Sequence, residues 1–157
     1  MSSDYDITNL DDFARQFVSM EIPKRLWTHG AHLAVGLWHV NRYGPDEALV
    51  RLRDGIRSLN EHHGNINTES AGYHETITRA QVALLADFLR RSDAALPLID
   101  RYAQLMASPL ADRGVLLRFY SRERLMSNHA RAIWVEPDLL PLTAEGLTGM
   151  FAVADSP

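Results

Sequence analysis

Apolar residues recur every three or four positions over most of the chain, the spacing that places side chains on one face of an α-helix. The first such run predicts a helix with a capped start within residues 8–13 and an end at Pro23; its apolar positions are Leu10, Phe13, Phe17 and Met20. Further helices are predicted over 26–43, from 45 towards 63, over 73–91 and over 98–107. No stretch alternates in the way that a half-buried strand would.

Glycine and proline divide these helices from one another. Gly44 and Pro45 predict the end of one helix and the start of the next. The polar stretch 64–72 predicts an irregular loop, and 109–141 predicts short helical segments that begin near Ser121 and Ser127. The pattern therefore predicts an all-α bundle of about four main helices with short accessory helices.

The composition is that of one globular domain. The 157 residues are 46% hydrophobic and 23% charged, with a net charge of −4. We expect a single helical domain over 1–157, with a core at about 8–142 and a flexible tail at 143–157. An acidic start without an export pattern predicts a cytoplasmic protein.

Charge and cysteine content exclude several classes of function. The net charge gives no reason to expect binding to nucleic acid or to an anionic membrane, and no apolar stretch reaches the roughly 20 residues of a transmembrane helix. The absence of cysteine excludes disulfides and thiolate chemistry. Five arginines flank the 119–121 segment; we interpret them as a solvated helix face, with an anion clamp as the alternative: Arg113, Arg118, Arg122, Arg124 and Arg131.

Six of the seven histidines lie between His29 and His74. Imidazole is the commonest metal ligand in proteins. His29 and His32 lie one turn apart on the predicted second helix, so they share its inward edge. His63 continues the apolar face of the third helix, whereas His62 points away. His39 lies about 15 Å along its helix from His29 at about 1.5 Å per residue, too far to join them.

The predicted fourth helix begins with Tyr73, His74 and Glu75. Short loops make neighbouring helices antiparallel, which brings this start to the same bundle end as His29 and His63. We therefore predict a mononuclear metal site. Its ligands would be His29, His32 and His74, with His63 as a further candidate. Glu75 would be a ligand or the general base, and Tyr73 and the Arg118–Arg124 region would line the pocket.

The ligand set leaves the metal and the reaction open. Without sulfur, Zn²⁺ and Fe²⁺ fit best, and Mn²⁺ and Ni²⁺ are compatible. A small-molecule substrate, including an anionic one, could undergo hydrolysis, isomerisation or oxygen chemistry. One alternative is a metal-free site that binds a small anion through histidine and arginine. Another is a helical interaction module with structural histidines. A homo-oligomer is compatible with all of these.

Five segments resemble a group of small bacterial all-α proteins, over roughly residues 26–142. These segments are Trp27-Thr28-His29-x-Ala31-His32-Leu33, Arg53-x-Gly55-Ile56, Gly72-Tyr73-His74-Glu75-Thr76-Ile77-Thr78, Tyr120-Ser121-Arg122-Glu123-x-Leu125 and Trp134-Val135-Glu136-Pro137-Asp138-Leu139. The resemblance implies that His29, His32, His74 and Glu75 belong to one site, and it indicates no substrate. The chain is more loosely similar to the DinB-like metal-binding four-helix bundles, which use three histidines at other spacings.

Overall fold

The computed structural model describes residues 7–142, which form helices and turns and contain no strand. This confirms the predicted all-α class. The seven α-helices are α1 (Leu10–Val18), α2 (His29–Tyr43), α3 (Pro45–His62), α4 (Glu75–Arg91), α5 (Leu98–Met106), α6 (Arg122–Leu125) and α7 (Asn128–Ala132). Three short 3-10 segments lie at Lys24–Leu26, Pro109–Ala111 and Val115–Arg118. The tail predicted at 143–157 lies outside the described residues.

Most helices begin at a side chain that accepts a hydrogen bond from a backbone N–H of the first turn. The Asn9 side chain accepts from Asp12 at the start of α1, and the Thr28 hydroxyl accepts from Ala31 at the start of α2. Ser121 and Ser127 cap α6 and α7 in the same way. Such caps satisfy backbone donors that have no partner within the helix. The predicted starts near Ser121 and Ser127 are thus confirmed.

A single glycine separates α2 from α3. Gly44 has a φ of 80°, a left-handed conformation that glycine adopts without steric penalty. It ends α2, and Pro45 follows at the first position of α3 with the φ that a helix start requires. Consequently α2 and α3 follow each other without a loop and pack against each other.

Helix α2 lies at the centre of the packing. It contacts α1, α3, α4 and α5, and its residues from Leu33 to Leu37 are all buried. Two close contacts bring the helices together: the Phe17 ring of α1 lies over Gly55 of α3, and Leu85 of α4 lies over Gly36 of α2. A side chain at either glycine would collide with its neighbour, so both positions allow close helix packing.

The structure differs from the sequence prediction at three helix ends. Helix α2 begins at His29 rather than 26, because a 3-10 turn and the Thr28 cap precede it. Helix α4 begins at Glu75 rather than 73, because His74 is its cap in an extended conformation. Helix α1 ends at Val18, so Met20, predicted on its apolar face, is exposed in a turn with a φ of 60°. No helix within the described range is long and apolar enough to cross a membrane.

Candidate functional site

A cavity of about 380 Å³ lies between α2, α3 and α4, and we call it the apolar cavity. Six aliphatic side chains from these three helices line it: Leu33, Leu52, Ile56, Ile77, Val82 and Leu85. Its polar lining comes from His29 and His32 at the start of α2, from Gln81 and Thr78, and from Arg113. The cavity is thus mainly hydrophobic with a few polar groups, as small-molecule sites generally are.

His29 is held at the rim of this cavity by a hydrogen bond to a distant loop. Its Nε2 donates to the carbonyl oxygen of Ala111 at 3.0 Å. Burial lowers the pKa of His29, and the nearby Arg113 lowers it further. The neutral ring therefore carries its proton on Nε2, and its Nδ1 remains an acceptor.

His32, one turn further along α2, has a different environment. Its ring lies against the Trp27 ring, with 3.9 Å between the centroids. Neither of its ring nitrogens bonds to a residue that the structure describes, and the side chain is accessible from the cavity. Although His32 is an exposed residue, its pKa is lowered to about 4, mainly by desolvation from the protein packed around its ring and further by the nearby His29. At neutral pH, His32 is an uncharged group with one free donor and one free acceptor.

Arg113 lines the same cavity and is solvent-exposed. Among the described residues that line the apolar cavity, Arg113 alone is charged. Its guanidinium forms no ion pair and no hydrogen bond with any residue between 7 and 142. A planar, permanently charged donor therefore lies at the cavity without an acceptor in the described part of the chain.

His74 uses both of its ring nitrogens in structural hydrogen bonds. Its Nε2 donates to the carbonyl oxygen of Leu125 at 2.8 Å, and its Nδ1 accepts from the N–H of Ile77 at 3.1 Å. Burial lowers the pKa of His74. In this arrangement the ring caps α4 and ties it to α6, and no lone pair is left for a metal ion.

The other histidines of the predicted cluster also bond to backbone carbonyls or lie outside the cavity. The Nε2 of His63 lies 2.7 Å from the carbonyl oxygen of Ile22, and its buried Nδ1 has no partner in the described chain. The Nδ1 of His39 donates to Val35 at 2.8 Å within the core. His62 is exposed, in the outward orientation that the helical spacing predicts.

Glu75 is held in a polar cluster between α3 and α4. Arg53 donates to it twice, from Nε at 2.8 Å and from Nη2 at 2.6 Å, and the Tyr73 hydroxyl donates at 2.8 Å. The bond to Arg53 lowers the pKa of Glu75, whereas burial raises the pKa of Tyr73 to about 12. A carboxylate held in this way is a weak base at neutral pH.

A second cavity of about 730 Å³ adjoins the first under the 64–72 loop, and we call it the loop cavity. Tyr73, His74 and Arg131 contribute to its lining, together with Asn60, Asn65 and Thr68. Glu75 lines neither cavity. The two predicted catalytic residues, Tyr73 and Glu75, are thus hydrogen-bonded to each other but lie apart from His29.

The four predicted metal ligands do not come together in one place. His29 lines the apolar cavity, His74 lines the loop cavity, His32 lines both, and His63 lines neither. Between residues 7 and 142, no three histidine, aspartate or glutamate side chains are grouped so that they could hold a metal ion. The structure therefore brings together pairs of the predicted residues rather than the predicted set.

The sequence analysis interprets Arg113 as part of a solvated face, with an anion clamp as the alternative; in the structure Arg113 is exposed and also lines the apolar cavity. Arg113 lies in a turn between two 3-10 segments, where helical periodicity gives no orientation. The hydrogen bond from His29 to Ala111, two residues earlier, brings this turn to α2. No local signal in the sequence predicts that contact.

Comparison of the chain with family models, curated proteins and solved structures gives no match. The resemblance to small bacterial helical proteins and to DinB-like bundles therefore stays a prediction from the motifs.

Proposed function

We propose that this chain binds a small molecule with an apolar body and a carboxylate in the apolar cavity. One observation carries the proposal: Arg113 and His32 line a mainly aliphatic cavity, yet neither side chain bonds to a described residue. The volume of about 380 Å³ lies in the range of small-molecule sites. Helices α2, α3 and α4, which we take as the centre of the predicted four-helix bundle, would hold the apolar body.

The polar groups suit a single negative charge. A guanidinium pairs with a carboxylate through two parallel hydrogen bonds. His32, neutral because of its lowered pKa, offers one donor and one acceptor without adding charge. This is the metal-free histidine and arginine site that the sequence left open, and α2 supplies both of its histidines.

The test is calorimetric titration with octanoate and with its neutral analogue octanamide. We expect octanoate to bind roughly tenfold more tightly, since a hydrogen bond to a charged group contributes about 1.5–3 kcal/mol. Arg113→Gln should remove this preference. Arg118→Gln is the matched control, because Arg118 is exposed in the same segment and lines neither cavity. Equal affinity for the two compounds in the unmodified protein would contradict the proposal.

A second candidate function is metal-dependent catalysis with fewer protein ligands than predicted. His29 has a free Nδ1, and neither nitrogen of His32 has a described partner, one turn apart on α2. These two imidazoles would hold Zn²⁺ or Fe²⁺, and water and substrate would fill the other positions. Glu75 would not serve as its base while it stays bonded to Arg53 and Tyr73.

Titration of the untagged protein with zinc separates the two candidates. The metal site would be supported if the unmodified protein binds one equivalent of zinc, His32→Ala binds none, and His62→Ala still binds one. If zinc does not bind, or binds equally to both variants, the metal site is contradicted. The proposal of carboxylate binding would still stand.

A further inference from the structure

The apolar cavity and the loop cavity share part of their wall. Five residues line both of them: Trp27, His32, Ile56, Ile77 and Thr78. The shared residues come from the start of α2 and the segment before it, from α3 and from α4. The two cavities therefore lie next to each other, with these five residues between or along them.

Each cavity has one charged residue in its lining, and both of these residues are arginines. Arg113 lines the apolar cavity and Arg131 lines the loop cavity, and neither lining includes an aspartate or a glutamate. The chain as a whole has a net charge of −4. The combined space therefore has a positive group in each part, although most charged side chains of the protein are acidic.

Arg131 is fixed in position but has no acidic partner. Its Nη1 donates to the carbonyl oxygen of Gly72 at 2.7 Å, which holds the guanidinium against the 64–72 loop. Its Nε and Nη2 make no hydrogen bond to the described residues. Glu61 and Glu69 line a neighbouring pocket together with Arg131, but neither forms an ion pair with it.

The part of the combined space that lies between Arg113 and Arg131 is apolar and uncharged at neutral pH. Ile56, Ile77 and the Trp27 ring form the shared wall, and His32 is neutral there. An apolar chain would bury its surface against this wall. A charged group at this point would lack a counter-ion.

Building on the proposed function, we infer that the two cavities together bind one elongated molecule with an acidic group at each end. Its chemical class is a linear α,ω-dicarboxylate. One carboxylate pairs with Arg113, the hydrocarbon chain passes Trp27 and His32, and the other carboxylate pairs with Arg131. The proposed function requires only the first of these ion pairs.

Calorimetric titration tests this inference. The affinity of each α,ω-dicarboxylate of about six to fourteen carbons is compared with that of the monocarboxylate of equal length. We expect one molecule per chain and an optimal length at which the diacid binds roughly tenfold more tightly than the monoacid. Arg131→Gln should remove this gain and keep the affinity for the monoacid within about twofold of that of the unmodified protein. Arg122→Gln is the control, since Arg122 is exposed and lines neither cavity.

Because Arg131 also binds the 64–72 loop, a second variant is needed to separate charge from loop structure. Arg131→Lys keeps the positive charge but loses the fork geometry. The effect is assigned to the charge if two results are found together: Arg131→Lys recovers part of the diacid gain, and its melting temperature equals that of Arg131→Gln. If the two variants have the same diacid affinity, the inference is overturned.

The outcomes also distinguish this inference from the proposed function. Equal affinities of diacids and monoacids at every length, or binding of two diacids per chain, would overturn the extended site alone. If neither class of acid binds, both proposals fail.

Discussion

Of the four histidines predicted to bind a metal, His32 alone has no hydrogen bond from either ring nitrogen to the described residues. The other three donate or accept at backbone groups, which is how buried polar side chains are generally satisfied. His32 instead lies against Trp27 and opens to both cavities. Both of its nitrogens are therefore available to a ligand, whereas His29 offers only its Nδ1.

The lowered pKa of His32 predicts a pH dependence of stability. In the unfolded chain this histidine binds a proton near pH 6.5, whereas in the folded protein its pKa is about 4. The unfolded state thus binds more protons between these values, and the free energy of unfolding should fall as the pH drops from about 6.5 to 4. The contribution of His32 should level off below its folded pKa.

Urea denaturation at several pH values between 7.5 and 4 measures this dependence. His32→Gln should show a shallower fall, because glutamine does not titrate. His62→Gln is the control, since His62 is exposed, and it should follow the unmodified protein. The explanation is wrong if His32→Gln and the unmodified protein lose stability in parallel.

At the scale of single residues, the sequence predicted the residue types of interest more successfully than it predicted the partners of those residues. The adjacency of His29 and His32 follows from helical spacing, and both line the apolar cavity. The partner of His74 is the carbonyl of Leu125, 51 positions away in the chain. Periodicity contains no information on such a contact, so the capping role of His74 could not be predicted.

At the scale of helices, most of the boundaries that the sequence predicted follow from capping residues and from proline or glycine. The end of α2 at Gly44 and the start of α5 after Pro97 both follow from such signals. The start of α4 does not, because histidine is an unusual cap and its role depends on the N–H of Ile77. His74 therefore lies outside the helix that was predicted to include it.

Helices α3 and α4 are joined by the ion pair between Arg53 and Glu75, which predicts a structural role for Glu75. The Glu75 side chain is only 13% exposed, and replacing it by glutamine leaves a charged partner without its counter-ion. Glu75→Gln should lower the free energy of unfolding by about 1–3 kcal/mol. Octanoate affinity should not change, since Glu75 lines neither cavity.

Thermal and urea denaturation, run beside the octanoate titration, check this prediction. The control is Glu47→Gln, which removes the exposed pair with Arg51 within α3 and should change stability by less than about 1 kcal/mol. Loss of octanoate binding in Glu75→Gln at unchanged stability would instead indicate a role at the site.

Over the whole molecule, the segment after α5 is attached to the start of α4 by long-range hydrogen bonds. The Thr76 hydroxyl donates to Ile133 at 2.9 Å and accepts from the N–H of Val135 at 3.1 Å. The Tyr120 hydroxyl donates to the carbonyl of Val135 at 2.7 Å. The sequence predicted short helices in this segment but not where they pack, because these contacts join residues 15 to 59 positions apart.

Tyr120→Phe tests how much the hydrogen bond within this segment, from Tyr120 to Val135, stabilises the protein. Tyr120 is fully buried, so the variant leaves the Val135 carbonyl without its donor in the interior. We expect the free energy of unfolding to fall by about 1–3 kcal/mol. Tyr43→Phe is the control, because its half-exposed ring keeps the contact with Arg51. Equal losses in the two variants would show that the hydroxyl of Tyr120 contributes little.

The position of Trp27 has an optical consequence. The chain has three tryptophans, and Trp27 is the one that lines both the apolar cavity and the loop cavity. Its indole lies against a neutral imidazole, so a guest molecule that displaces or polarises His32 alters the surroundings of this fluorophore. Trp38 lies beside Tyr43 and His39, and Trp134 lies beneath Arg79, both away from these cavities. Occupancy of the site can therefore be followed by intrinsic emission, without a label.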